Sequence, residues 1–429
     1  MAMALAACGT KGIKGINPTS GRRTRTTITF SISVTDQEKP AIQELLSRFQ
    51  DRTKAKVDVE LLSRFRNQPA SRVELTTSLD AASLVKHLRQ EVATGKHGIQ
   101  LFAQDNLAMR DLVDQGLVQD LSGVEIPTAV LASMIPSRFG GRQFFLPFRP
   151  NVRLTYMDRR ALEGAGLQPP RTVDELVAAA RALKAGADGT PKVTLSLAQG
   201  DAAAVTLSEL IVSYGGNPLV LNDDGSAKVF ELLQQMWKQG LLARQSLFAK
   251  YDTEVGNLAG GTALLAQNWS FTSAELQRRG LLGGFEVYAG WSGPARAAHV
   301  IGGDVLGIPQ GVTGQQKDVA LALARFLMSK EAQEFLARKN AWPSIRNDAY
   351  GTVPREERQT FSAIQVALQD GWFRPSVAYW SDVTAEMNQA VTRIVLEDEP
   401  VRPVLDQLHA RIAAAASGTG AEYPPPLAP

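Results

Sequence analysis

One cysteine in 429 residues, Cys8, excludes an intrachain disulfide, so packing alone must hold the fold. The four histidines, His87, His97, His299 and His409, share no metal-ligand spacing, and no second thiol completes a thiolate site. No apolar run approaches the roughly 18–20 residues that a membrane span needs. There is no Walker loop and no Gly-x-Ser-x-Gly elbow, and Gly260-Gly261 before Thr262 lacks the lysine of a phosphate loop. Charge of one sign is missing as well: 46 basic against 43 acidic residues leave a net +3, which gives no broad electrostatic footprint for nucleic acid. No short-period repeat marks a solenoid or propeller. Together these absences imply no metal, no cofactor, no nucleic-acid partner and no catalytic residues.

What is present is apolar enough for large cores, with 44% hydrophobic residues, and long enough for two or three domains at the usual ~100–200 residues each. The single cysteine directly follows Leu5-Ala6-Ala7, which is how a lipoprotein signal ends. No Lys or Arg precedes it, and seven residues are short for such a leader; a truncated leader accounts for both, a chance cysteine in a loose start being the alternative. Lipidation at Cys8 implies a protein tethered by lipid in the periplasm or on the outer face of the cytoplasmic membrane. Gly9 to Gly21, the basic run Arg22-Arg23-Thr24-Arg25 and the closing Pro424-Pro425-Pro426 suit extended tails, placing ordered structure between residues 27 and 418.

Within that span strands and helices alternate. Thr27 to Val34 and Val57 to Leu62 read as strands around an amphipathic helix, Lys39 to Thr53, and a right-handed crossover makes them parallel. A helix from about Ser78 to Thr94, a strand Ile99 to Phe102 and a helix Asn106 to Gln115 closed by Gly116 continue the pattern. Thr172 and Glu175 form a capping box for the helix Val173 to Ala185. Asn222 to Gly225 suits a tight turn or hairpin, Gly261 to Asn268 and Val305 to Ile308 read as buried strands, and the last third is mostly helical. The order gives an α/β protein of two lobes, whose ligands bind beyond the carboxyl ends of the strands.

Several segments then stand in a familiar order: Ile99 to Asp105 with Leu112 to Leu117; Leu146-Pro147-Phe148-Arg149-Pro150-Asn151-Val152 with Tyr156 to Arg159; Leu162 to Leu167 with Pro170 to Leu176; Gly261 to Trp269; Gly302 to Pro309; Ala324 to Leu327 with Glu331 to Gln333. In these the chain resembles the extracellular solute-binding proteins of sugar ABC importers, the maltose-binding-like family 1, over about residues 28–417. The resemblance implies a periplasmic-binding-protein-like fold with a hinge and an inter-lobe cleft that closes on a sugar. It also implies a monomer that presents the sugar to ABC permease subunits in the membrane. Mapped here, the first lobe takes residues 27–147 and 303–345 and the second 148–302 and 346–418, with 1–26 and 419–429 as tails. Pro147 and Pro150 bracket the first crossing, where strand termination is an equally good reading.

A sugar presents hydroxyls and a weakly apolar face, so its site needs carboxylate, amide or guanidinium partners and flat aromatic platforms. The resemblance sets Trp269 as the best platform, with Asn268 in support, and Trp380 with Tyr379 as the second. Asp105 falls at the family's acidic position, a helix N-cap being the alternative. Arg149 and Asn151 lie at the crossing, where Arg149 would bridge hydroxyls or make an inter-lobe salt bridge. Gly302 and Gly303 would let backbone approach the ligand, with Asp304 as acceptor, or form a plain turn. Trp342 is placed in the cleft, although for it, Trp291 and Trp372 packing competes. Asp36 stands near the first strand end, where the family often carries an aromatic or acidic group. Asp105 with Asp304 is the one carboxylate pair that suggests a glycosidase. Arg149 and Arg374 leave room for a glycerophosphodiester, whereas a polyamine would need carboxylates that look scarce.

Overall fold

The computed structural model describes residues 26–34, 38–53, 56–63, 81–187, 189–351 and 353–419. Strand β1 (Thr27–Val34), helix α1 (Lys39–Thr53) and strand β2 (Lys56–Ser63) form the expected unit, with the two strands parallel. Ile28, Phe30, Ile32 and Val34 alternate onto one buried face, and α1 covers it with Ile42, Leu45, Leu46 and Phe49. Each such side chain removed from water contributes roughly 1.5–3 kcal/mol. Helix α2 (Ala81–Thr94) leads to β3 (Leu101–Asp105), parallel to β1, and then to α3 (Met109–Asp114), after which Gly116 takes the left-handed turn at φ +64°. Strand β3 begins two residues later than the sequence suggests. Its approach is held by the Gln100 side chain, which accepts the Thr29 N–H at 2.6 Å.

Strand β4 (Leu146–Asp158) is the longest among the described residues. After it come α4 (Arg159–Gly164), α5 (Val173–Ala185), β5 (Val193–Thr194), α6 (Asp201–Ser213) and α7 (Asp224–Lys238). Thr172 caps α5 by accepting the Glu175 N–H, and Glu175 reaches back to the Arg171 N–H at 2.6 Å rather than to that of Thr172. The expected hairpin at Asn222 to Gly225 is instead the start of α7: Asp223 accepts the Ser226 N–H at 2.8 Å. Turn residues and N-cap residues are the same short polar types, so the sequence alone does not separate the two. Gly225 is required there because a Cβ would meet the Gly216 backbone nitrogen at 2.3 Å.

Next follow α8 (Tyr251–Ala259), β6 (Leu265–Trp269), α9 (Phe271–Arg278), β7 (Phe285–Tyr288), β8 (His299–Gly307), α10 (Gly314–Leu327) and α11 (Lys330–Asn340). The chain ends in α12 (Arg358–Gln369), β9 (Gly371–Phe373), α13 (Trp380–Ala390), a π-helical turn Val391–Leu396 and α14 (Val401–Gly418), a helix the sequence reading did not delimit.

The strands run β2-β1-β3-β8-β4-β6-β5, with β7 on β4 and β9 on β8. β4 joins two lobes in one strand. Its first half pairs antiparallel with β8, from Leu146↔Leu306 to Val152↔Ile301, and its second half pairs with β6 and β7. One core lies between β1, α1, α10 and α11 and continues along β4 to α12; a second fills the far lobe between α5, α6, α7, α13 and α14. A third, smaller core packs Leu84, Leu88, Phe102, Met109 and Phe145 on the other face of the first lobe. The result is a two-lobed α/β fold hinged on β4 and β8.

Candidate functional site at the junction of the lobes

The two hinge strands bring the predicted residues together because both change lobe at the same level. Gly303 of β8 sits at φ +96° beside Pro150, and a Cβ there would meet the Arg149 carbonyl oxygen at 2.0 Å. Gly302 lies under the Trp269 indole, which a Cβ would strike at 2.8 Å. Both glycines are therefore needed for close packing of the chain itself, Gly302 against the indole and Gly303 against the neighbouring strand.

On the first-lobe side, β3 ends at Asp105, directly across the ladder from Asp304. Asp105 caps the short turn Asn106–Ala108, accepting the Leu107 N–H at 3.0 Å, and remains partly exposed. It is thus the N-cap and a junction group at once. Burial raises its pKa above the ordinary carboxylate range, with Asp304 and Asp201 adding to the rise and Arg374 opposing it. Arg149 donates to the Asp304 carboxylate at 2.5 Å, lies 3.9 Å from Glu38 and stacks 4.4 Å from the centre of the Trp342 ring. Trp342, only 6% exposed, donates its indole N–H to Glu38 at 2.6 Å. Arg149 is thereby engaged in an ion pair between the hinge strands, and Asp304 is held by it.

On the second-lobe side, Trp269 ends β6 and packs with Val205 and Val300, flanked by Tyr251, Phe271 and Trp372. Tyr251 meets Trp269 edge-on, ring centres 5.7 Å apart. Asn268 is fully buried: its amide donates to the Tyr251 carbonyl at 2.8 Å and its oxygen accepts the Trp269 N–H, so it orients this aromatic wall from behind. Asn151 accepts from the Ser270 hydroxyl at 2.8 Å, tying the crossing to the same wall. Arg374, just after β9, is 3% exposed, ion-paired to Asp201 at the first turn of α6, and 5.7 Å from the Trp380 ring centre. Burial alone would lower the Arg374 pKa; the carboxylates of Asp201 and Asp105 more than offset it and keep the guanidinium charged.

Behind the wall, Arg153 of β4 is completely buried with Glu209 of α6 at 3.1 Å, and donates to the Thr206 hydroxyl at 2.8 Å. Glu209 also accepts the Val300 N–H of β8 at 2.9 Å. Burial pushes the Glu209 pKa up against the pull of Arg153.

Of the predicted residues, Asp105, Arg149, Asn151, Asn268, Trp269, Gly302, Gly303, Asp304 and Trp342 gather on or beside β4 and β8, whereas Trp380 packs against the second-lobe core with Arg374 5.7 Å from its ring centre. Nor does Tyr379 gather there: at 1% exposure it belongs to the core of the second lobe, since it lies on the inward side of the turn that starts α13. Asp36 and Cys8 lie outside the described residues. Glu38 and Tyr251 were not placed in the site from sequence; Arg374 entered there only as a partner for an anionic ligand, Trp372 only against a competing packing role, and Asp201 only within a loop whose side chains were not diagnostic. The available signals were Gly200-Asp201 after a strand and the run Trp372-Phe373-Arg374-Pro375, aromatic beside cationic. A surface groove of about 280 Å³ lined by Arg159, Glu163, Arg171 and Glu286 shares no residue with the junction.

Known proteins agree with this architecture. Residues 61–354 match the family model described as bacterial extracellular solute-binding protein. Among solved structures, the chain is similar to the sugar-binding protein MalE from Xanthomonas citri at 15% identity, with a TM-score of 0.78 over 92% of this chain and 98% of that one. It is similar to the cyclic alpha-maltosyl-1,6-maltose binding protein from Arthrobacter globiformis at 16% identity, TM-score 0.74, over 92% and 100%. Maltose-bound MalE3 of T. maritima matches at 17% identity, TM-score 0.72, over 91% and 99%. At these identities the structures speak for the two-lobed fold, and the family model, spanning more than half of the chain, speaks for kinship: this chain belongs to the bacterial extracellular solute-binding proteins.

Proposed function

We propose that this protein captures a mono- or oligosaccharide between its lobes and delivers it to the membrane permease of an ABC importer. The carrying observation is the pairing of an aromatic wall, Tyr251, Trp269 and Trp372, with hydrogen-bonding groups around Asp105 at the strands that join the lobes. A flat indole suits the apolar face of a sugar ring, and carboxylate and guanidinium groups suit its hydroxyls. The sugar-binding neighbours support the same reading. A ligand that touches both lobes favours the closed state by its differential affinity for it, and no turnover is needed.

In this reading the first lobe comprises residues 27–147 and 303–345 and the second 148–302 and 346–418, with the hinge at Pro150 and Gly303. The protein acts as a monomer, tethered through lipid on Cys8, at the outer face of the cytoplasmic membrane or in the periplasm. Intact mass of membrane-expressed protein reads the tether directly: an unmodified Cys8 removes it. A thermal-shift screen across a sugar library tests the main claim, because a ligand that binds only the native form raises its melting temperature. Trp269→Ala should then weaken binding of the best hit by roughly 1–3 kcal/mol, the usual loss for an aromatic anchor. Unchanged affinity by calorimetry removes Trp269 from the site.

A further inference from the structure

The junction holds more acid than its arginines balance. Glu38, Asp105, Asp201 and Asp304 meet there with Arg149 and Arg374. Arg149 is occupied by Asp304 and Glu38, and Arg374 is paired to Asp201. Asp105 is left without a cation at ion-pair distance among the described residues, accepting one backbone N–H. Its partly exposed carboxylate faces Asp304 across the ladder. The sequence made carboxylates look scarce because these four are spread over 267 positions of the chain, from 38 to 304, and only the fold assembles them.

We propose that the ligand carries a basic nitrogen: the site favours an amino sugar, its ammonium set against Asp105, over neutral and anionic sugars of the same skeleton. This rests on the carbohydrate reading above and narrows it. An ammonium forms a charge-assisted hydrogen bond with Asp105, adding to the attraction of Arg374, whose guanidinium is already paired to Asp201, and offsetting the repulsion of Asp304 and Asp201. A uronate or phosphate adds a further negative charge instead. The neighbouring rings strengthen the preference, since indole and phenol faces attract cations; Trp269, Tyr251 and Trp372 stand in one cluster, and Tyr251 lies near enough to Asp201 and Arg374 to feel both charges. Two buried donors also face no partner: the Trp372 indole N–H and the Nε–H of Arg374, itself 3% exposed. These suit the hydroxyl oxygens of the same ligand, so the site asks for a polyol with one cationic group rather than for a bare polyamine.

The test is calorimetric titration of the full chain with glucosamine, galactosamine and mannosamine, each beside its N-acetyl, parent hydroxyl and uronic acid counterpart. One amine is expected to bind at least about tenfold tighter than its three matched analogues, an ordinary gain for a charge-assisted contact. Its advantage should fall as the pH rises through the titration of the amine, while the N-acetyl control stays flat. Asp105→Asn keeps a side-chain oxygen for the Leu107 cap and should reduce the preference to less than about twofold. If that variant does not fold, the pH series on the unmodified chain carries the decision. Equal affinity across each series, or binding of neutral or acidic sugars alone, overturns the amino-sugar proposal and leaves the sugar reading in place. Failure of every carbohydrate in the library overturns both.

Discussion

Two arginines four residues apart on β4 face opposite fates. Arg149 lies at the crossing itself, stacked on Trp342 with its side chain 10% exposed, and holds Asp304 of β8. Arg153 lies on the second-lobe side with no exposure and reaches β8 through Glu209, which accepts the Val300 N–H. Each clamps the same two strands, one from the junction and one from the interior. Between the clamps only Pro150 to Val152 and Ile301 to Gly303 remain. The comparison shows how one continuous ladder is held where it passes between lobes: an ion pair fixes the register on either side, and two glycines occupy the gap.

Breaking the sealed clamp should have the largest effect. Arg153→Met leaves Glu209 buried without its partner and should cost about 3–5 kcal/mol in urea unfolding, whereas the pair of substitutions Arg153→Met with Glu209→Gln should recover much of the loss. A cost below about 1 kcal/mol would mean that the pair does not hold the interior side. Next in size is a pH effect on that same side. His299 begins β8 and is 3% exposed; burial lowers its pKa from 6.5 to about 4, with Arg153 acting in the same direction and Asp370 opposing. Above pH 6.5 the ring is neutral in folded and unfolded chains alike. As the pH falls toward 4, the unfolded chain takes up a proton that the folded one refuses, so stability is lost over that window, about 2 kcal/mol between pH 7 and 5. His299→Gln should remove this part of the slope; an identical slope in the variant assigns it to other groups.

How much of this was legible in the sequence follows from which contacts are local. Strand β1 and helix α1 were readable to the residue because their apolar spacing records a single buried face. The cap at Thr172 was readable for the same reason, its partner lying three residues away. The start of α7 was not, because Asn222-Asp223-Asp224-Gly225 satisfies both turn and cap chemistry and only packing against Gly216 decides. In the candidate site, residues carried by the family resemblance, such as Asp105 and Trp269, were nameable in advance. Glu38 and Tyr251 were not, and the Asp201–Arg374 pairing was not, since their meaning lies in partners tens to hundreds of positions away. Tyr379 shows the converse: adjacency to Trp380 suggested a shared role, yet Tyr379 is sealed in the second-lobe core while Trp380 lies at its edge, near Arg374.

At the flexible gap itself, Gly303→Ala should cost about 1–3 kcal/mol, because φ +96° is strained for alanine and the added Cβ would press on the Arg149 carbonyl. Differential scanning calorimetry measures the loss, and a neutral result would show that the strands can part there without penalty. The smallest change sharpens the junction clamp. Trp342→Phe keeps an aromatic face under Arg149 but deletes the indole N–H that donates to Glu38, a single charge-assisted hydrogen bond from a ring only 6% exposed. The loss should be near 1 kcal/mol. Trp342→Leu removes the stacking surface too and should cost more by the ~0.5–1 kcal/mol of a partly exposed cation–π contact. If the two variants unfold at the same urea concentration, the ring face contributes nothing, and Arg149 is held by its carboxylates, Asp304 and the more distant Glu38; the junction clamp would then be a plain ion pair, and its partial exposure would make it the weaker of the two.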